Sequence, residues 1–206
     1  MTLHVHQLSC IQGDRLLFKD LDLTVNSGEI LLIEGHNGSG KTTLLKTLAT
    51  IRQIDEGEIL WKGRSIAKLG DDFCDQLTWL GHLNGIKLDL TAYENLKTNC
   101  FLNGLAINEV ALMDALQRIG LSGYEELPVR VLSQGQKRRT ALAYLLLSQT
   151  PIWILDEPFV ALDVKAVELL QSVISTHVEQ GGIVILTTHQ AIGLDIDKIQ
   201  RLNLSR

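Results

Sequence analysis

One stretch, Gly35-His36-Asn37-Gly38-Ser39-Gly40-Lys41-Thr42, restricts this chain more than anything else in it. It follows Ile30 to Ile33, a continuously apolar run of the kind that makes a strand buried on both faces. It precedes Thr42 to Leu48, whose apolar residues recur at helical spacing. A strand, a glycine-rich bend spaced G-x-x-x-x-G-K-[ST] and a helix, in that order, make a cradle for phosphate. Glycines let the backbone curl until several N–H groups face one anion, and the helix adds the positive end of its dipole. The expected nucleotide-binding set is Gly35, His36, Asn37, Gly38, Ser39, Gly40, Lys41, Thr42 and Thr43. Lys41 is expected at the β- and γ-phosphates of ATP and the Thr42 hydroxyl on Mg²⁺. His36 reads as a side chain tolerated in a loop that works through its backbone.

A second buried strand, Ile152-Trp153-Ile154-Leu155, ends in Asp156 and Glu157. Carboxylates there lie at the edge where an α/β sheet takes its ligand. Asp156 fits a partner of Mg²⁺, and Glu157 fits the group that polarises an attacking water. Around these strands the pattern alternates. The first thirty or so residues read as short strands, with Leu21, Leu23 and Val25 on one face, and Glu58 to Trp61 reads as another. Thr91 and Glu94 form a capping-box pattern opening a helix, and a second helix is expected from about Asn108 to Ile119, closed by Gly120. Further on come a helix at about Gln134 to Ser148, another at about Val164 to Glu179, a strand from Ile183 to Leu186 and a final strand near Arg201 to Leu204. Strands alternating with helices predict a parallel sheet and an α/β fold.

Leu132-Ser133-Gln134-Gly135-Gln136 narrows the class. This L-S-x-G-Q run, just upstream of the acid-tipped strand, resembles the signature of the ABC ATPase family. The resemblance covers essentially the whole chain. It continues through Ala161-Leu162-Asp163 and through Thr187-Thr188-His189-Gln190. It implies a single nucleotide-binding domain over 1–206 of the P-loop NTPase kind, with a RecA-like mixed sheet core. A small antiparallel β subdomain and a helical subdomain at about 84–131 would complete it. It also implies a homodimer, in which Ser133, Gly135 and Gln136 of one copy close over the γ-phosphate held by the other. Asp163 would act across that interface, and His189 would hydrogen-bond the γ-phosphate. Lys137-Arg138-Arg139 reads as a solvated helix face.

Two places depart from the family pattern. Its usual glutamine, a sensor of Mg²⁺ and γ-phosphate, falls here on His82, while the nearest glutamine, Gln76, precedes the strand Leu77 to Leu80. An imidazole can donate or accept a hydrogen bond, so His82 is carried as a candidate at the site. The family's adenine-stacking aromatic is also missing from Cys10-Ile11-Gln12, which predicts weak selectivity for the base.

Local wording is more particular still. Gly81-His82, Gly85-Ile86-Lys87, Gly135-Gln136-Lys137-Arg138-Arg139 and Trp153 to Phe159 resemble the haem-exporter ATPases of cytochrome c maturation systems. That resemblance implies integral membrane subunits of a cytochrome c maturation complex as partners. It also implies a peripheral position on the cytoplasmic face of a bacterial inner membrane. An ABC transporter for another cargo would carry the same catalytic motifs. A soluble ABC ATPase acting on nucleic acid or ribosomes fits less well. Its net charge of −5 provides no basic field for nucleic acid. No apolar run reaches the roughly 20 residues of a membrane span, so a membrane role needs another chain. Cys10, Cys74 and Cys100 are odd in number and widely spaced, which fits free thiols in a reducing compartment.

Overall fold

Strands β1 (Thr2–Gln12) and β2 (Arg15–Asn26) turn at Gly13-Asp14 and pair antiparallel, Thr2 opposite Asn26 and Gln12 opposite Arg15. Leu3, Val5 and Leu8 are buried while His4 and His6 are exposed, the alternation of a half-buried sheet. The expected short strands are thus one long ribbon. Bulges at Gln7 (φ 47°) and Asp20 (φ 50°) absorb the breaks in alternation and shift the register. The structure, a computed structural model, describes residues 1–189, 193 and 196–205. Gln190 of the sequence motif lies outside them.

After the ribbon come β3 (Ile30–Glu34), α1 (Lys41–Leu48), β4 (Glu56–Trp61) and β5 (Arg64–Ser65). Two single-turn helices follow, α2 (Ile66–Leu69) and α3 (Asp71–Cys74), and then β6 (Leu77–Leu80). The middle of the chain holds α4 (Ala92–Leu102), α5 (Glu109–Arg118) and α6 (Gln134–Leu142). Last come β7 (Ile152–Asp156), α7 (Val164–Glu179), β8 (Ile183–Thr187) and β9 (Ile199–Asn203). The strands form an antiparallel sheet ordered β2-β1-β4-β5 and a second sheet ordered β6-β7-β8-β3-β9, in which β7–β8, β8–β3 and β3–β9 are parallel. All five residues of β7 and of β8 are buried, which explains the apolar runs Ile152 to Leu155 and Ile183 to Leu186 ahead of their polar last residues.

The chain divides into two compact units. The first holds Met1–Trp79, Thr150–Glu157 and Ile174–Arg206. Its core is one cluster. Leu31, Ile33, Ile152, Ile154, Ile183 and Ile185 of the parallel sheet join Leu44, Leu45 and Leu48 of α1 and Leu3, Val5, Ile59 and Trp61 of the antiparallel sheet. Burial of each such side chain contributes about 2 kcal/mol. In the same unit the Trp153 and His177 rings stack, centroids 3.8 Å apart and planes 7° apart. Burial pushes the His177 imidazole down to about 4, against the opposing pull of the Ile183 and Pro151 backbone.

The second unit holds Leu80–Gln149 and Pro158–Val173, and is helical. α4 starts on the expected capping box: Thr91 Oγ1 accepts from the Glu94 N–H at 3.0 Å, and Glu94 accepts from the Thr91 N–H at 2.8 Å. Asn108 caps α5 through the Ala111 N–H at 2.8 Å. α6 ends at Leu142, earlier than its sequence pattern suggests. Ala143–Leu146 tightens into a 3-10 turn, a common way for a helix end to close. Among the described residues no helix is long and apolar enough to cross a membrane.

Candidate active site

The glycine-rich bend leads straight into α1, with Gly40 as its N-cap at φ 99°. That angle suits glycine, and a Cβ there would also lie 3.2 Å from Leu17 Cβ, so the ribbon leaves room for nothing larger. The bend closes on itself. Lys41 Nζ donates to the Gly35 carbonyl at 2.6 Å and to the His36 carbonyl at 3.2 Å. The His36 ring donates through Nδ1 to the Asn37 carbonyl at 2.8 Å, so its imidazole serves the turn. The His36 N–H donates to Ser205 Oγ at 2.9 Å. Ser39 Oγ is buried and has no hydrogen-bond partner among the described residues, as a donor kept for a ligand would be. Thr43 serves α1 itself, its carbonyl accepting from Thr47 Oγ1 at 3.0 Å.

Asp156 ends β7 directly opposite Thr187 at the end of β8. The residue is 2% exposed, and among its interactions its carboxylate accepts from Thr42 Oγ1 at 2.9 Å and from Thr187 Oγ1 at 2.7 Å. The Thr187 hydroxyl in turn accepts from the Glu157 N–H at 3.0 Å. One hydroxyl thus fixes both acids. Glu157 takes φ 49°, a left-handed conformation that costs a non-glycine residue about 1 kcal/mol or more. Its Oε1 lies 3.4 Å from His189 Nε2, with the glutamate largely covered and the histidine exposed. A hydroxyl and a carboxylate side by side are hard oxygen donors of the kind Mg²⁺ takes, so Thr42 and Asp156 fit that ion. These groups all belong to the first unit and gather at the carboxyl ends of its parallel strands.

The signature residues lie in the second unit. Ser133 Oγ accepts from the Gln136 N–H at 3.2 Å and Gln136 Oε1 accepts from the Ser133 N–H at 2.9 Å, a capping box at the start of α6. A Cβ on Gly135 would lie 2.9 Å from the Ala161 carbonyl, so this position needs glycine for packing as well. Asp163 caps α7 through the Ala166 N–H at 3.0 Å and pairs with Arg139 Nη2 at 2.5 Å. The Ala166 N–H first, and Arg139 after it, hold the Asp163 carboxyl below the usual carboxylate range. Both of its oxygens therefore have partners within its own unit.

The basic trio is not the solvated face its sequence suggests. Arg138 is 4% exposed and Arg139 is largely covered, because both reach back over backbone carbonyls. His82 lies exposed in the segment between β6 and α4. Gln76 stands just ahead of β6, its carbonyl accepting from the Ile152 N–H at 3.1 Å. At the expected base position Ile11 is 42% exposed and opposite Leu16. Asp55 accepts the Ile11 N–H at 2.9 Å and Arg52 donates to the Ile11 carbonyl at 2.6 Å. Sequence reasoning missed Thr187 and Ser205 as organisers of the first unit's cluster, and Arg139 as the partner of Asp163 within the second. Only the position of Thr187 at a strand end, two residues before His189, offered a signal.

The ABC transporter family pattern matches residues 18–160. The cytochrome c biogenesis ATP-binding export protein CcmA of Nitrosomonas europaea is 51% identical over 203 residues, covering 98% of this chain and 95% of the relative. The protein of that name in Aliivibrio fischeri is 44% identical over 204 residues, with 98% of each covered. A putative ABC transporter ATP-binding protein from Pyrococcus furiosus superposes with a TM-score of 0.84 at 29% identity, covering 98% of each chain. An ATP-binding cassette solved as a dimer with ADP and phosphate shares the fold, with a TM-score of 0.79 at 24% identity over 99% of this chain and 97% of that one. The chain therefore belongs to the ABC transporter ATP-binding family, and within it to the family of cytochrome c biogenesis ATP-binding export proteins. ATP hydrolysis is the activity of that class.

Proposed function

We propose that this chain is the MgATP-hydrolysing subunit of a membrane complex that energises haem delivery or export for c-type cytochrome biogenesis. The names of its relatives support the cargo. The observation that carries the chemistry is the cluster of Thr42, Asp156, Thr187, Glu157 and His189 in one unit. The chain acts as a homodimer on the cytoplasmic face of a bacterial inner membrane, with integral subunits as partners and no nucleic acid. Residues 84–131 form the helical subdomain of a single ATPase domain.

In this reading the N–H groups of residues 35–43 take the β-phosphate, and Lys41 leaves the Gly35 and His36 carbonyls for the phosphates. Thr42 and Asp156 hold Mg²⁺, which when bound neutralises charge on the β- and γ-phosphates. Glu157 orients a water in line with the γ-phosphorus. The new bond is from water oxygen to phosphorus. The bond from phosphorus to the bridging oxygen breaks, ADP keeps that electron pair, and the water's proton passes to phosphate or to Glu157. His189 donates to a γ-phosphate oxygen and steadies the charge that develops there. Ser133, Gly135 and Gln136 of the second copy complete the site, with Asp163 at the shared boundary. His82 senses the γ-phosphate in place of the usual glutamine.

Two measurements test this. Glu157→Gln should lower kcat about 100-fold or more, leave ATP binding intact and trap an ATP-bound dimer. Hydrolysis at the parental rate would remove Glu157 from its role. Gentle extraction of the tagged chain should recover cytochrome c maturation membrane subunits. An unrelated permease would keep the ATPase and overturn the cargo, and ribosomes or DNA without membrane protein would overturn the membrane role.

A further inference from the structure

Arg138 has no part in the chemistry above, yet it is buried. It sits on α6 just over a turn past the Ser133 cap and is 4% exposed. A guanidinium stays charged, and removing it from water is costly unless its planar donors are directed at acceptors. Among its hydrogen bonds, Nη1 donates to Asn84 Oδ1 at 3.0 Å and to the Gly81 carbonyl at 3.3 Å, and Nε donates to the Pro158 carbonyl at 3.4 Å. These acceptors come from two segments remote in sequence. Gly81 directly precedes His82, and Pro158 directly follows Glu157. One side chain on the signature helix therefore holds the backbone beside two candidate catalytic positions.

The far end of the same irregular segment is braced as well. Asn95 on α4 is 8% exposed. Its Nδ2 donates to the Lys87 and Thr91 carbonyls, each at 2.9 Å, and its Oδ1 accepts from the Lys87 N–H at 2.7 Å. The stretch from Gly81 to Thr91 is thus a strut between two buried polar side chains, with His82 near one end.

We propose that Arg138 is a positioning residue for ATP hydrolysis, holding Gly81, Asn84 and Pro158 in fixed register with the signature helix. The proposal deepens the ATPase reading and rests on it. Lysine is a poor substitute, because its donors radiate from one nitrogen and cannot reproduce the separated, coplanar Nε and Nη1 that reach the two segments.

The test uses the complex purified with its membrane partners, carrying the parental chain, Arg138→Gln, Arg138→Lys, Asn84→Ala or Glu157→Gln. A fluorescent ATP analogue reports affinity, steady-state hydrolysis reports kcat and KM, and thermal melting reports folding. Arg138→Gln and Arg138→Lys should lower kcat about 10-fold, with affinity and KM within about twofold of the parent. Asn84→Ala changes a half-buried loop residue and keeps the test informative should the arginine variants fold poorly. It should lower kcat about 3-fold with an unchanged melting temperature, and add little to Arg138→Gln. Parental kcat in Asn84→Ala and Arg138→Gln, while Glu157→Gln is inactive, overturns the proposal alone. So does a loss confined to KM. Hydrolysis by Glu157→Gln at the parental rate overturns the reading of the site and this proposal with it.

Discussion

The bend at residues 35–42 and the segment at 81–91 both lead irregularly from a strand into a helix, yet they are held in opposite ways. The first is closed mainly by its own atoms, with Ser205 Oγ accepting from the His36 N–H at 2.9 Å. Lys41 reaches the Gly35 and His36 carbonyls, and the Ser39 N–H donates to the His36 carbonyl at 3.2 Å. The second is tied by side chains from elsewhere, Arg138 and Asn95, with Arg130 pairing to Asp89 at 2.8 Å. A loop whose donors must be released to a ligand is best fastened by bonds it can exchange. A loop that must keep its shape is best fastened by partners that have nowhere else to go. The difference shows which side chains govern binding and which govern form.

The largest effect should come from the bend. Lys41→Ala should weaken ATP binding at least 100-fold, about 2.7 kcal/mol, while the nucleotide-free protein melts within about 2 °C of the parent. Titration calorimetry and thermal melting would read the two numbers, and a large fall in melting temperature would break the contrast. Asn95→Ala should do the reverse. Leaving its buried backbone partners unpaired should cost about 2–3 kcal/mol, read by denaturant unfolding, with ATP affinity unchanged. Thr91→Ala removes only a helix cap from the same segment and should cost about 1 kcal/mol. The smallest effect should touch neither loop. His177 is held neutral by burial, its folded value about 4 lying below the ordinary 6.5. Its contribution is therefore complete above pH 6.5 and is lost as the pH falls towards 4. Because the ring is only partly covered, the loss by pH 5 should be about 1 kcal/mol, and His177→Phe should flatten that part of the stability profile.

The same contrast explains what could be read in advance. The bend, the acids after β7, the Thr91–Glu94 box and both ends of α7 follow from residues spaced within a turn or a strand, so their pattern survives in the linear sequence. The ties between segments do not. Thr187 meets Asp156 only because β8 pairs beside β7, and Arg139 meets Asp163 only because the chain returns to α6. Arg138 looked like one of three solvated cations, since nothing local announces acceptors at Gly81, Asn84 and Pro158. The long ribbon was hidden for a related reason. Its bulges at Gln7 and Asp20 interrupt the alternation that would mark continuous strands.

The Trp153–His177 stack has a practical use. An indole face to face with an imidazole loses fluorescence to it once the imidazole becomes cationic, so brightness there tracks proton uptake and ring separation. Trp153 lies on the strand that delivers Asp156. With Trp61 and Trp79 changed to Phe, the emission of this one chromophore becomes an optical gauge set inside the machine. It reads His177 protonation as the pH falls towards 4, with no label attached.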